Sequence, residues 1–298
     1  MWFFLSLIAL SMLVARRSSE KHVSGKINSL AMAWLQQAIA LPFIIATLFF
    51  AKFYWPQELS TAFWVTMAVY VVLISIDIYC YFKALSLADV SYVAPLLTLV
   101  AIGNIVGAYI VLGQIPSGYG VMGALLIVCG AILTYKGKSK DIANKHNNKK
   151  ALLLILLLVA VRSIAANIEV NMLRESNPTT FNFYSSLLTV PLILLTSLVI
   201  IYSNKTGKYK NYWSDLKVSV SKHHLLLLFI GLTYTINMLA TYQAKLLSPN
   251  AGYPGAVKSA AVLPMMIVGL LLFKEKIVKI QWFGLVFVMC GLVLLAMN

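Results

Sequence analysis

The chain has 298 residues, 60% of them hydrophobic and 11% charged, with a mean hydropathy of +0.85 and a formal net charge of +15. A water-soluble domain needs a charged surface, so this composition excludes a soluble fold and indicates a chain solvated by membrane lipids. The positive charge does not point to nucleic acid as a partner. The basic residues fall in short runs between apolar stretches of about 20 residues, the length that crosses a bilayer.

Ten apolar spans follow one another at 1–17, 29–50, 62–82, 91–112, 118–135, 151–172, 180–202, 224–243, 252–273 and 280–297. Each is expected to be an α-helix, because backbone polar groups in lipid must be satisfied within the segment. The first span has no basic residue before it and no small-residue cleavage site after it, which predicts a membrane helix and not a removed leader. It ends at Arg16-Arg17, whose charged heads are expected to reach the interface. Two basic polar stretches, 136–150 and 203–222, have the composition of solvated connectors without structure of their own. Cys80, Cys129 and Cys290 lie inside spans, and neither a disulfide framework nor a metal site is expected from them.

The loops between spans 1/2, 3/4, 5/6, 7/8 and 9/10 carry most of the lysines and arginines, whereas the other side holds only Lys52, Arg174 and Lys245. By the positive-inside rule the first set is cytoplasmic and both termini face outward.

The stretch 81–134 is written twice. Displaced by 161 positions, it matches 242–295, with Tyr81/Tyr242, Leu85/Leu246, Tyr92/Tyr253, Gly123/Gly284, Cys129/Cys290, Gly130/Gly291 and Leu133/Leu294 identical. The reading is an all-α integral membrane protein of ten transmembrane helices in two five-helix repeats, 1–135 and 151–298, joined by the linker 136–150. Five helices is an odd number, so the repeats must insert in opposite senses.

The segments 95–130 (PLLTLVAIGNIVGAYIVLGQIPSGYGVMGALLIVCG) and 255–291, with Phe273-Lys274-Glu275 near the middle of the second, resemble the drug/metabolite transporter superfamily, EamA type. That family's repeat ends in a Pro-bearing helix, a Gly-Glu at the loop, then a glycine-containing helix. The resemblance covers nearly the whole chain and implies a multi-pass transporter. It departs from the pattern where Gln114 replaces the loop glutamate that Glu275 keeps, and where Lys274 replaces the glycine that Gly113 keeps. The family is also usually drawn with both termini cytoplasmic, the reverse of the charge count here.

Gly123 and Gly130, like Gly284 and Gly291, are seven apart and share a helical face, which predicts close helix packing and a scaffold role for spans 5 and 10. Pro42 and Pro191, with Gly103 and Pro264 at matching points of the two halves, are candidate hinges or tolerated kinks. The six tryptophans are expected in interfacial belts.

Ionisable groups inside spans are costly and invite functional readings. Arg162 is an anion contact or a structural partner of Asp77 or Glu169. Asp77, on a face with Tyr70 and Tyr81, is a proton-coupling site or one half of an ion pair, since burial raises a carboxylate's pKa. Glu169, near a span end, is expected at the interface and is a second proton-coupling candidate. Lys258, opposite the apolar Leu97 of the first half, either snorkels outward or binds substrate. Tyr81, Asn104, Asn167, Tyr184, Tyr234 and Asn237 complete the candidate substrate-binding set, with Ser163 nearby in sequence. Each polar side chain could equally serve as interhelical glue.

The function these features predict is secondary transport of a small polar or amphipathic metabolite, coupled to a proton or a counter-substrate, in the inner or plasma membrane. No Walker A motif, cofactor site or metal site is expected. A receptor or assembly protein without transport is the alternative. An intramembrane enzyme is a weaker one, because the four histidines lie at or beyond the span ends and no paired catalytic groups are apparent.

Overall fold

The computed structural model describes residues 1–23, 27, 29–87, 96–136, 145–203, 212–264 and 279–298. Among these, the helices are α1 (Trp2–Val23), α2 (Ser29–Leu48), α3 (Thr61–Leu87), α4 (Leu99–Leu112), α5 (Gly118–Lys136), α6 (Lys145–Glu175), α7 (Pro178–Ser203), α8 (Tyr212–Leu247), α9 (Tyr253–Ser259) and α10 (Lys279–Ala296), with one 3-10 turn at Pro56–Glu58. Seven are long and apolar enough to cross a membrane: α1, α2, α3, α6, α7, α8 and α10. Apolar helices α4 and α5 are shorter by that measure. The motif residues Tyr92, Pro95, Phe273, Lys274 and Glu275 lie outside the described residues.

Local sequence sets where the helices start. Ser60, Ser117 and Asn177 each cap a helix: Phe63 N–H donates to Ser60 Oγ (3.0 Å), Gly120 N–H to Ser117 Oγ (2.9 Å) and Thr180 N–H to Asn177 Oδ1 (2.8 Å). Pro178, the first helical residue of α7, removes an N–H that would have had no partner. At the other end of α4, Gly113 takes φ +64°, a left-handed turn that its lack of a Cβ permits. The Gln114 side chain that follows accepts a bond from Ala251 N–H at 2.8 Å, and Asn250 Nδ2 donates to the Gln114 carbonyl at 3.2 Å. The residue that departs from the family pattern thus links the loop after α4 to the loop before α9.

These caps cluster at one end of the bundle, which also holds both chain termini. Ser117 hydrogen-bonds Asn298 side chain to side chain, and its N–H donates to Tyr253 Oη at 2.8 Å. Trp2 packs on Tyr253 with ring centroids 6.0 Å apart and is only 8% exposed. Trp2 is therefore a core residue and not the belt residue expected of it, whereas Trp55, Trp213 and Trp282 are exposed. The same end is closed over α3, α6 and α7 by Phe53, Tyr54, Phe63, Trp64, Phe181 and Tyr184. The segment that precedes α3 is tied down by Asn177 and Ser60, the first donating to the Lys52 carbonyl and the second's N–H to Glu175.

Helices α5 and α10 run antiparallel in close contact. A Cβ on Gly130 would come within 2.5 Å of the Gly284 carbonyl oxygen, one on Gly284 within 2.6 Å of the Gly130 oxygen, and one on Gly291 within 2.6 Å of the Gly123 oxygen. The four glycines predicted to form small faces meet each other in two reciprocal pairs, so the backbones approach as only glycine allows. Gln281 Nε2 adds a bond to the Thr134 carbonyl at 2.8 Å.

Three expectations change. The 203–222 connector is helical from Tyr212 onward, because Tyr212 and Leu216 bury against Val23, Ala31, Leu35 and Leu227. α8 kinks at His223 (φ −118°, ψ 20°), where this segment meets the apolar span. The linker's last six residues likewise join α6. Helix α1 continues past Arg17 to Val23, and the Arg16 side chain is largely enclosed in the bundle beside Tyr234, not extended away from it.

Replacing Gly130 with Leu should destabilise the folded protein strongly, by more than the roughly 1–3 kcal/mol typical of overpacking, since backbone oxygen and not a flexible side chain blocks the site. Gly118→Leu, which meets nothing within 4 Å, is the control. Thermal unfolding in detergent should separate the two; equal melting temperatures would contradict the glycine seam.

Candidate functional site

The charged side chains inside the bundle pair with one another. Asp77 of α3 receives two bonds from Arg162 of α6, Nε to Oδ1 at 3.0 Å and Nη2 to Oδ2 at 2.8 Å. Side-by-side bonding of this kind fits the planar guanidinium to the carboxylate. Asp77 is buried, whereas the Arg162 side chain keeps 34% of its exposure. Of the two partners open to Arg162, Asp77 is the one it takes, and Tyr81 lies within electrostatic reach.

Glu169 takes a different partner, Lys245 of α8, and the two side chains are only 7% and 5% exposed. Lys245 Nζ also donates to the Ala166 carbonyl at 2.9 Å. Neither side chain is solvated, as was expected of Glu169 and of Lys245 near their span ends. In lipid an unpaired charge is costly, and the pairing draws both side chains inward. A sequence signal for Lys245 existed: Asn237, Thr241 and Lys245 recur at i, i+4 and i+8 and so form one polar stripe on α8. Thr241 carries that stripe to α9, where Lys258 Nζ donates to its Oγ1 at 3.1 Å.

The stripe continues to α1. Arg16 Cζ lies 5.2 Å from the centroid of the Tyr234 ring, and Arg16 Nε is 3.3 Å from Glu20 Oε1. Asn237 Nδ2 donates to the Ala9 carbonyl, while its Oδ1 is buried without a hydrogen-bond partner. Tyr70 and Tyr242 are both buried in the cluster beside this column. From Tyr234 to Lys245 this polar column extends about 16 Å along α8 at 1.5 Å per residue, roughly half the thickness of a bilayer core. Arg16, Glu20 and Thr241 were not among the expected site residues; the i, i+4 spacing of Arg16 and Glu20 was the available clue.

The remaining candidates lie elsewhere. Asn104 and Asn167 meet where α4 crosses α6 and α9: Asn167 Nδ2 donates to the Asn104 carbonyl (3.2 Å) and to the Ser163 carbonyl (2.7 Å). Gly103 and Gly107 face Ser163 and Asn167 there, so Gly103 occupies a close helix crossing. Asn104 Oδ1 and Ser163 Oγ are buried without a partner. Tyr184 stands apart at the closed end, donating to the Tyr54 carbonyl at 3.1 Å. Pro42 and Pro191 lie on exposed faces of helices that run on without a break. Pro264 has a more visible local effect. It lacks the N–H that would reach Ala260, and the helix is interrupted at Ala260–Ala261, where Leu263 N–H bonds the Ala260 carbonyl at 3.0 Å instead. In the first half a turn at Thr98 interrupts the corresponding stretch, with Ala101 N–H on the Thr98 carbonyl at 3.0 Å. Among the described residues, no three His, Cys, Asp or Glu side chains are grouped to hold a metal.

Comparison with known proteins adds three findings. The profile of the EamA-like transporter family matches residues 1–136 and 149–297. No curated protein matches the sequence. Among solved structures, one described only as the crystal structure of a protein aligns with a TM-score of 0.70 at 12% identity, covering 98% of this chain and 95% of that one, a likeness of fold.

Lys245→Met should leave Glu169 buried and unpaired, at a cost of about 3–5 kcal/mol. The double variant Lys245→Met, Glu169→Gln should recover much of that loss. A double-mutant cycle of unfolding free energies in detergent measures both; additive losses would show that the pair is not coupled.

Proposed function

The chain belongs to the EamA-like transporter family of multi-pass membrane proteins within the drug/metabolite transporter superfamily, and on that premise we propose that it is a secondary transporter. It moves a small polar or amphipathic metabolite by alternating access through the seam between its two repeats. The observation that carries this reading is the Asp77–Arg162 pair, a charge pair inside an apolar bundle that joins a helix of the first half to a helix of the second. A purely structural role would be served equally well by apolar packing, since a buried ion pair contributes little net stability. A pair that bridges two moving halves can open and reclose with them.

The full proposal is ten spans in two inverted repeats, 1–135 and 151–298, in the inner or plasma membrane. The basic loops face the cytoplasm and both termini face outward. Support comes from the gathering of both termini and the aromatic closure at one end of the bundle, with Arg16, Arg17, Lys136 and Lys279 toward the other. In this reading the closed end is the outer gate. The interruptions at Thr98 and at Ala260–Ala261, one in each half, are the places where α4 and α9 can bend. Coupling is to a proton or a counter-substrate, and Asp77 is the proton site, with Glu169 held by Lys245 as the second carboxylate. The protein is a carrier and not an enzyme.

Asp77→Asn preserves shape but not charge. In vesicles, with a ligand first found by its thermal stabilisation of the purified protein, this variant should lose gradient-driven uptake and retain exchange. Unchanged uptake would remove Asp77 from the coupling mechanism, and loss of both activities would indicate a structural role.

A further inference from the structure

Resting on the transporter reading, we propose that the seam binds a small organic anion whose carboxylate or phosphate headgroup sits between Lys258 Nζ and the Arg16 guanidinium. The ion pairs of the described residues join Arg16 to Glu20, Lys52 to Glu58, Arg162 to Asp77 and Lys245 to Glu169, and leave Lys258 out. Its hydrogen bond goes to a neutral hydroxyl, Thr241 Oγ1. The charged groups that act on it are Arg16, Lys245, Glu169 and Arg17, three cations and one carboxylate already bonded to Lys245. A cation so placed within an apolar bundle is costly, and an anionic ligand would offset that cost.

Arg16 supplies a second, independent observation. Its Nε and Nη1 are buried and make no hydrogen bond, because the 3.3 Å approach to Glu20 lacks hydrogen-bonding geometry. A buried donor left without a partner is costly, more so on a charged group. Nε and Nη1 lie on different edges of the guanidinium, so each is a single donor open to a carboxylate or phosphate oxygen. The Tyr234 ring lies beside Arg16 and fixes the guanidinium plane from one side. Gln37 of α2 shares a face with Ala40 and Ile44, which pack on Tyr234, and its Oε1 is buried without a partner. With Asn237 Oδ1 it offers acceptors for hydroxyl or amide donors on the body of the ligand. The site therefore has donors for an anionic head, an aromatic wall, and acceptors beyond it.

The test uses purified protein and four matched probes of one chain length: butyrate, butyl phosphate, butyramide and butylamine. Butyrate or butyl phosphate should raise the melting temperature of the wild type, the stronger of the two identifying the headgroup, while butyramide and butylamine should not. Lys258→Gln should weaken anion binding at least tenfold, and Lys258→Arg, which keeps the charge, should restore most of it. Equal stabilisation by the amide or the amine, or wild-type anion affinity in Lys258→Gln, would overturn the proposal. Protein-dependent flux of labelled probes, above that of protein-free liposomes, separates this inference from the one beneath it. Anion binding without protein-dependent flux of any probe would contradict the transporter reading alone, whereas protein-dependent flux of butylamine but not butyrate would contradict the anion site alone.

Discussion

Charge neutralisation inside an apolar bundle is the constraint on which the rest of the structure depends. Each buried carboxylate or cation carries a penalty in lipid that a partner must offset, and the helices are arranged so that partners meet. Asp77 brings α3 to α6, Glu169 brings α6 to α8, and Arg16 lays α1 against Tyr234 of α8. The last two of these links lie in the polar column of α8, while the outward-facing surface is apolar, with Phe4, Val69, Leu153, Val199, Phe283 and Val293 among its exposed side chains. The charges thus organise the interior of a membrane protein much as an apolar core organises a soluble one, with more exacting geometry.

Against this polar column stands a seam of the opposite kind. Between α5 and α10 packing rests on the absence of side chains: reciprocal glycine pairs let backbone meet backbone. One seam leaves no room for a side chain at its four glycines. The other is built from ion pairs, Asp77 with Arg162 and Glu169 with Lys245. The glycine pairs take one helix from each half, whereas the ion pairs are not repeated between the halves: the position matching Asp77 is Met238, and the position matching Lys258 is Leu97.

The duplication made much of this legible. The glycine pairs were readable because their spacing places them on one face in both halves, and the structure brings all four together. Asp77 with Arg162 was one of two pairings that helical periodicity left open. Other features were hidden for physical reasons. Lys245 and Glu169 read as interfacial from their places near span ends, since position along a sequence does not reveal which direction a side chain takes; their mutual attraction turned both inward. Trp2 read as a belt residue until Tyr253, far away in sequence, proved to be its packing partner. The helix from Tyr212 into α8 was masked by the polar composition of its segment, because its burial depends on two residues, Tyr212 and Leu216, against the end of α1 and the start of α2. The asymmetry between Leu97 and Lys258 was visible as a difference between the halves, yet its meaning required Arg16 and Thr241 beside it.

The central claim is that the polar column is a water-accessible pathway and not a dry structural core. The direct measurement is the reactivity of Thr241→Cys, in a background without native cysteines, toward a membrane-impermeant thiol reagent added from either side of sealed vesicles. The account predicts modification from both sides, with a cysteine at Val288, in the α5/α10 frame, unreactive from either. A Thr241→Cys protein that folds but resists the reagent from both sides would contradict it.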